Sequence, residues 1–144
     1  RHRAANRPLG QVEELYDVRG FDAGAVAKLR PFVTALPVRA PVNANTAAPE
    51  VLAAILPALS RDEIRALVQS RRKQPFRDRA DLKARMNQAG GTAIEASLDV
   101  KSDHFLVQVG VSQDDVQVAA EALVSRAAPG ATPATAMIWR RSLY

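Results

Sequence analysis

Residues 42–52 read Val42-Asn43-Ala44-Asn45-Thr46-Ala47-Ala48-Pro49-Glu50-Val51-Leu52, and the chain runs on through Pro57-Ala58-Leu59-Ser60 to Gln74-Pro75-Phe76-Arg77-Asp78. The spacing predicts a capped helix, a tight turn, a second capped helix, and an aromatic plug ahead of a third helix start. Asn45 or Thr46 can cap the first helix, whose opening turn tolerates Pro49 because the amides there have no intrahelical acceptor. Val51, Leu52, Ile55 and Leu56 form one apolar stripe, and Ile64, Leu67 and Val68 another. Ser60 and Glu63 have the spacing of a capping box, and Asp78 with Asp81 is a weaker version of it. Arg71, Arg72 and Lys73 fall in the last turn of the second helix, where the macrodipole favours cations.

This order of elements is the helix-hairpin-helix pattern, which holds nucleic-acid phosphate on the backbone amides of its turn. Such turns use glycine so that the backbone can approach an anion closely. Pro57-Ala58-Leu59-Ser60 contains no glycine, its proline has no amide, and its alanine and leucine side chains crowd the site. The basic cluster at 71–73 has no interleaved aromatic residues of the kind that stack bases. The pattern therefore predicts a helical packing unit, with a nucleic-acid-binding helix-hairpin-helix module as the alternative.

A faint repeat extends the helical reading toward the N-terminus. Leu15, Val18, Val26 and Leu29 lie about 37 residues before Leu52, Ile55, Ile64 and Leu67, which predicts an earlier copy of the same helical hairpin. Val12, Leu15 and Tyr16 make one short stripe of that copy, and Val26, Leu29 and Val33 the other. The earlier turn keeps Gly20 but follows it with Phe21-Asp22, and a carboxylate there repels phosphate.

Near residue 99 the period of the apolar residues changes from helical to two. Phe105, Val107, Val109 and Val111 alternate with Leu106, Gln108, Gly110 and Ser112, as on a strand buried on one face. Asp114-Asp115 reads as a turn, Val116–Arg126 as a second strand, Pro129 to Pro133 as a looser loop, and Thr135–Arg141 as a third strand. These make a three-stranded antiparallel meander, and such a sheet needs a cover for its apolar face. The domains expected are thus 1–98, helical, and 99–144, β.

Composition narrows the class without naming a function. The chain is 144 residues long, 47% hydrophobic and 24% charged, as in a soluble globular protein. No apolar run approaches the roughly 18 residues of a membrane span. It opens Arg1-His2-Arg3 rather than with Met, which reads as a processed product or an excised fragment. With no cysteine, disulfides and thiolate metal sites are excluded. The formal charge of +5 is uneven: residues 1–98 carry +6 and residues 99–144 carry −1. The helical part can therefore attract nucleic acid or an acidic partner, although charge alone specifies neither.

Nothing in the sequence assembles a catalytic site. His2 and His104 are far apart, and neither has a serine, aspartate or glutamate at a motif spacing. Asp99, Asp103, Asp114 and Asp115 lie in or beside the loops flanking the first strand, and loop carboxylates of this kind can bind calcium. They lack the spacing of an EF-hand, and ordinary turn residues are the competing reading. Calcium is the one cofactor for which the sequence offers candidates. Trp139, next to Ile138, is expected to pack.

Several stretches together resemble the protein K family of bacterial type II secretion, a family of large minor pseudopilins. They are Asn6-Arg7-Pro8-Leu9, Glu13-Glu14-Leu15, Val18-Arg19-Gly20-Phe21, Leu29-Arg30-Pro31-Phe32-Val33-Thr34 and Leu36-Pro37. Residues 42–52 are the most specific of them, and Ser102 to Val111 and Met137-Ile138-Trp139-Arg140 resemble the closing strands. The resemblance implies an α+β chain: a helical SAM-like or helix-hairpin-helix-type domain, followed by a three-stranded antiparallel sheet that completes a pilin-like fold. It implies the C-terminal portion of a non-enzymatic protein at the tip of a periplasmic pseudopilus in a Gram-negative bacterium. The partners implied are other minor pseudopilins and secreted substrate, with no nucleic acid. Contact with the inner membrane is expected only through an N-terminal helix that this sequence lacks.

Overall fold

Prolines and glycine decide where the first part of the chain can be helical. In the computed structural model, which describes residues 6–86, 97–126, 132 and 134–143, the chain forms two compact units, residues 1–100 and 101–144. His2 and the expected loop at Pro129 to Pro133 lie outside the described residues.

The first unit begins with a 3₁₀ turn, Val12–Asp17, and a short helix α1, Ala23–Leu29, capped by the Asp22 carboxylate, which accepts from Ala25 N at 2.7 Å. Gly20 between them takes φ +98°, a conformation that favours glycine. The expected earlier copy of the helical hairpin is only this 3₁₀ turn and one short helix. Pro31 has no amide to continue α1, and Pro37 and Pro41 follow it. Of the apolar residues expected to line this earlier copy, only Val26 is fully buried, while Tyr16, Val18 and Val33 are exposed.

The core lies further along. Strand β1, Val42–Asn43, leads into helices α2, Pro49–Ile55, α3, Arg61–Lys73, and α4, Arg79–Arg85. The chain then returns as β2, Leu98–Asp99, which pairs in parallel with β1. Ala44, Leu52, Leu56, Ile64, Leu67, Val68, Phe76, Leu82, Met86 and Leu98 form one buried cluster. Both expected stripes and the aromatic plug therefore meet in it. Each fully buried leucine contributes about 1.5–3 kcal/mol by leaving water. Because Leu98 and Asp99 pair with Val42 and Asn43, they belong to the helical unit, and the division between units falls after Val100.

The second unit is a meander of β3, His104–Gln113, β4, Val116–Arg126, and β5, Thr135–Leu143, in the order β3-β4-β5. The β3–β4 register runs unbroken from His104↔Ser125 to Gln113↔Val116. Asp114 turns the corner with φ 51°, which aspartate tolerates better than most residues. Between β4 and β5 the register slips: Leu123 faces Trp139 while Val124 faces Met137. Ile138 is therefore the extra residue of a bulge. Cross-strand pairing puts Phe105, Val107, Val109, Val111, Val116 and Val118 on one face. The other face carries Leu123, which is buried, and the row Gln108–Glu121–Arg141.

Candidate interaction surfaces

The turn between α2 and α3 shows how an apparent anion site is closed. Ser60 caps α3, its hydroxyl accepting from Glu63 N at 3.3 Å and donating to Glu63 Oε2 at 2.7 Å. The same carboxylate oxygen accepts from Ser60 N at 2.7 Å, and Leu59 N donates to Leu56 O at 3.0 Å. Two amides of the turn are thus occupied, one of them by the protein's own carboxylate, where a phosphate would have to sit. Hydrogen bonds from the Ser60 hydroxyl and then the Ser60 amide hold the Glu63 carboxyl below the ordinary glutamate range. Leu59 packs against the core.

Two polar side chains that the sequence reading placed elsewhere hold this unit together. Asn45 does not cap α2, whose N-cap is Ala48. Its amide instead joins three segments: it donates to Phe76 O at 2.9 Å and Val100 O at 3.4 Å, and accepts from Phe76 N at 2.8 Å. The Asn43 side chain accepts from Asn45 N at 2.9 Å and shapes the bend that presents it. Arg71, expected only as a cation at the helix end, turns inward and donates to Ala44 O at 2.6 Å and Ala47 O at 2.7 Å. Burial, then the neighbouring Arg72, lowers its proton affinity from the ordinary guanidinium value. The signal in the sequence was the pair of asparagines two apart ahead of Pro49. Side-chain direction on α3 could not be read from composition.

Asp78 caps α4 by accepting from Asp81 N at 2.8 Å. The reciprocal bond is displaced by one residue: Asp81 accepts from Arg77 N at 3.0 Å rather than from the N-cap amide. That backbone bond, against the opposing effect of burial and with help from Arg85, holds the Asp81 carboxyl below the ordinary aspartate range. Arg85 also lies over the Phe76 ring at 5.1 Å, which ties α4 to the plug.

The four candidate calcium ligands occupy three places. Asp99 lies in β2, its carboxylate accepting from Val100 N at 2.6 Å and its carbonyl from Ala44 N at 2.7 Å. Asp103 precedes β3, and its carbonyl accepts from Arg126 N at 2.7 Å. Asp114 and Asp115 sit at the far end of the β3–β4 hairpin, and only these two are brought together. Among the described residues no group of three or more histidine, cysteine, aspartate or glutamate side chains is placed to hold a metal ion.

The sheet unit carries an exposed apolar face. Val109, Val111, Val116, Val118 and Met137 are all more than half exposed. On the opposite face Glu121 is buried and accepts from Arg141 Nη2 at 2.7 Å and Nε at 3.0 Å, with Gln108 at 3.4 Å. Trp139 is half-buried on that face, with the Arg141 guanidinium 5.4 Å from its ring centre. Among the described residues no helix is long and apolar enough to cross a membrane.

Comparison with known proteins places both parts of the chain. Two sequence models, each described as type II secretion system protein K, match residues 1–38 and 42–101. The second match begins at β1 and ends just after β2. Type II secretion system protein K of Pseudomonas aeruginosa is 34% identical over 114 residues, covering 79% of this chain and 34% of that protein. The Aeromonas hydrophila protein of the same name is 30% identical over 129 residues, covering 85% and 39%. The chain thus spans between a third and two fifths of the length of these relatives. The fold is similar to a chain in the crystal structure of the GspK-GspI-GspJ complex of enterotoxigenic Escherichia coli, with a TM-score of 0.77 and 24% identity. That likeness covers 99% of this chain and 51% of the other, and it establishes an α+β, pilin-like fold.

Proposed function

The chain belongs to the type II secretion system protein K family, and on that premise we propose that it is the C-terminal portion of a minor pseudopilin acting at the tip of a periplasmic pseudopilus. The role is organisational rather than catalytic. Its partners are other minor pseudopilins, with secreted substrate as a further contact. The full-length protein is held at the inner membrane of a Gram-negative bacterium by an N-terminal helix.

The observation that carries this reading is the self-contained helical module at residues 42–101. It matches the family, and β1 and β2 bring its two ends together. A filament subunit that carries such a module has bulk that obstructs the stacking of another subunit beyond it. It therefore ends the filament. The occupied amides of the 57–60 turn favour this over nucleic-acid binding.

The test is to isolate pseudopili from a secreting strain carrying the tagged full-length protein and to label the tag with gold. Label at one end, with the other minor pseudopilins copurifying, is expected. Label spread evenly along the filament would contradict the capping role. A titration with duplex DNA at low salt addresses the alternative: tight binding that weakens steeply as salt rises would favour the helix-hairpin-helix reading.

A further inference from the structure

An arginine row on α3 serves no purpose within the fold. Arg61 and Arg65 lie about one turn apart, and Arg72 returns to the same face about two turns later, all within about 40° around the helix axis. All three are exposed. Arg61 stands in the first turn of α3, where the helix dipole disfavours a cation. Arg65 meets Asp62 at 2.9 Å, but both side chains lie largely in water, and such a pair contributes little and exchanges readily. Among the described residues no carboxylate pairs with Arg61 or Arg72. Charges that the fold does not use for itself are expected at a functional surface.

Beside the row an open groove of about 270 Å³ runs between α2 and α3, lined by Pro49, Glu50, Ala53, Arg61, Ile64 and Arg65. Pro49, Ala53 and Ile64 make its lining apolar, and the small side chain of Ala53 leaves the groove open. The α3 wall is cationic, whereas Glu50 stands on the α2 wall. The cationic wall continues to Arg72, about 16 Å along the axis from Arg61.

We propose that this groove docks an acidic segment of an exported protein. One aliphatic or aromatic side chain of the segment seats over Ala53 and Ile64, and its carboxylates lie along Arg61, Arg65 and Arg72. The inference rests on the proposed place at the filament tip, where secreted substrate is a contact. Guanidinium groups in a row select carboxylates. Nucleic acid would bring phosphates beside Glu50 and would find no aromatic residue in the lining on which to stack a base. Six lining residues also supply far less than the roughly 800 Å² per partner of a stable interface. The contact is therefore weak and steered by charge, which suits a passing cargo that has to be released better than a permanent subunit.

The test uses the 144-residue chain and a short synthetic peptide with one central leucine between glutamates, followed by NMR at low salt. Shifts are expected at Ala53, Arg61, Ile64 and Arg65, with affinity falling as salt rises. Arg61→Glu with Arg65→Glu should weaken binding about tenfold or more, with the helical circular dichroism unchanged. Ala53→Leu, or serine in place of the peptide's leucine, should weaken it about fivefold or more by removing the seat or its occupant. Glu50→Gln should strengthen it. Equal binding of the serine peptide would overturn the inference, because charge alone would then account for it. So would shifts at Ala53 and Ile64 with duplex DNA and none with the peptide.

A second arm separates this inference from the capping role. In the full-length protein, Arg61→Glu with Arg65→Glu should lower export of the secreted proteins while gold label stays at one end of the filament. Unchanged export with the end label intact would overturn the groove's role and leave capping standing. Loss of the end label in this variant would overturn it as well, since the groove would then serve assembly rather than cargo.

Discussion

Asn45 and Phe76, 31 residues apart, are joined by two hydrogen bonds: Phe76 N donates to Asn45 Oδ1 at 2.8 Å, and Asn45 Nδ2 donates to Phe76 O at 2.9 Å. The segment before α2 is thereby locked to the segment before α4, and the Phe76 ring is held in the core. Burying the ring supplies the driving force, and the asparagine fixes the register in which it is buried.

Asn45→Ala should lower the stability of the helical unit by about 1–3 kcal/mol, because a part-buried N–H and carbonyl lose their partner. Asn45→Asp should be at least as damaging, since it turns a carboxylate oxygen toward the carbonyls of Phe76 and Val100. Urea unfolding followed by helical circular dichroism measures both. An unchanged midpoint for either would show that the bridge is incidental.

Arg71 reaches two carbonyls with one planar group, a geometry that an ammonium cannot copy. Arg71→Ala should cost about 1.5–3 kcal/mol, and Arg71→Lys should recover less than half of the loss. Arg72→Ala, one residue along on the exposed side, should leave the urea midpoint within about 0.5 kcal/mol of the parent.

The lowered carboxyls of Glu63 and Asp81 set an acid dependence. Their folded values lie below their unfolded ones. The stability they contribute is therefore fully present above the ordinary carboxylate range and is lost as pH falls through the folded values. The urea midpoint of the helical unit should fall between neutral pH and about pH 3. Glu63→Gln together with Asp81→Asn should flatten that fall, and carbon-detected NMR titration should place both carboxyls below those of exposed Glu and Asp.

In the sheet, Glu121 and Arg141 should couple by about 1–3 kcal/mol in a double-mutant cycle, as a charge-assisted pair with one buried partner. Trp139 is the single tryptophan, so its fluorescence reports this unit alone. Glu121→Ala should shift its emission, because Arg141 stands over the ring. A coupling near zero would mean that solvent takes the carboxylate's place.

Periodicity made much of this fold legible. The stripes of α2 and α3, the Ser60–Glu63 box, the Phe76 plug and the three strands all follow from local patterns; the core takes up the stripes and the plug, whereas the β3 face that the alternation marked as buried is exposed. What escaped depends on contacts between distant segments. Asn45 had the composition of a cap, but its partners lie 31 and 55 residues away. Arg71 had the composition of a solvated helix end, but the carbonyls it serves precede α2. The repeat misled because apolar spacing near Leu15 and Val26 is necessary for a helical hairpin but not sufficient, and Gly20 and Pro31 interrupt it. The Ile138 bulge left no mark in the alternation, since one extra residue in a strand is visible only against its neighbour.

Strands β1 and β2 have a mechanical consequence. The polypeptide comes in at the start of β1 and leaves from the end of β2, and the two run in the same direction. Tension along the chain therefore pulls them past each other lengthwise and loads their bonds, among them Ala44 N to Asp99 O at 2.7 Å, together rather than peeling them one at a time. A pull transmitted through the backbone passes across this short clasp and bypasses α2, α3 and α4, so the helices stay slack until the clasp gives way.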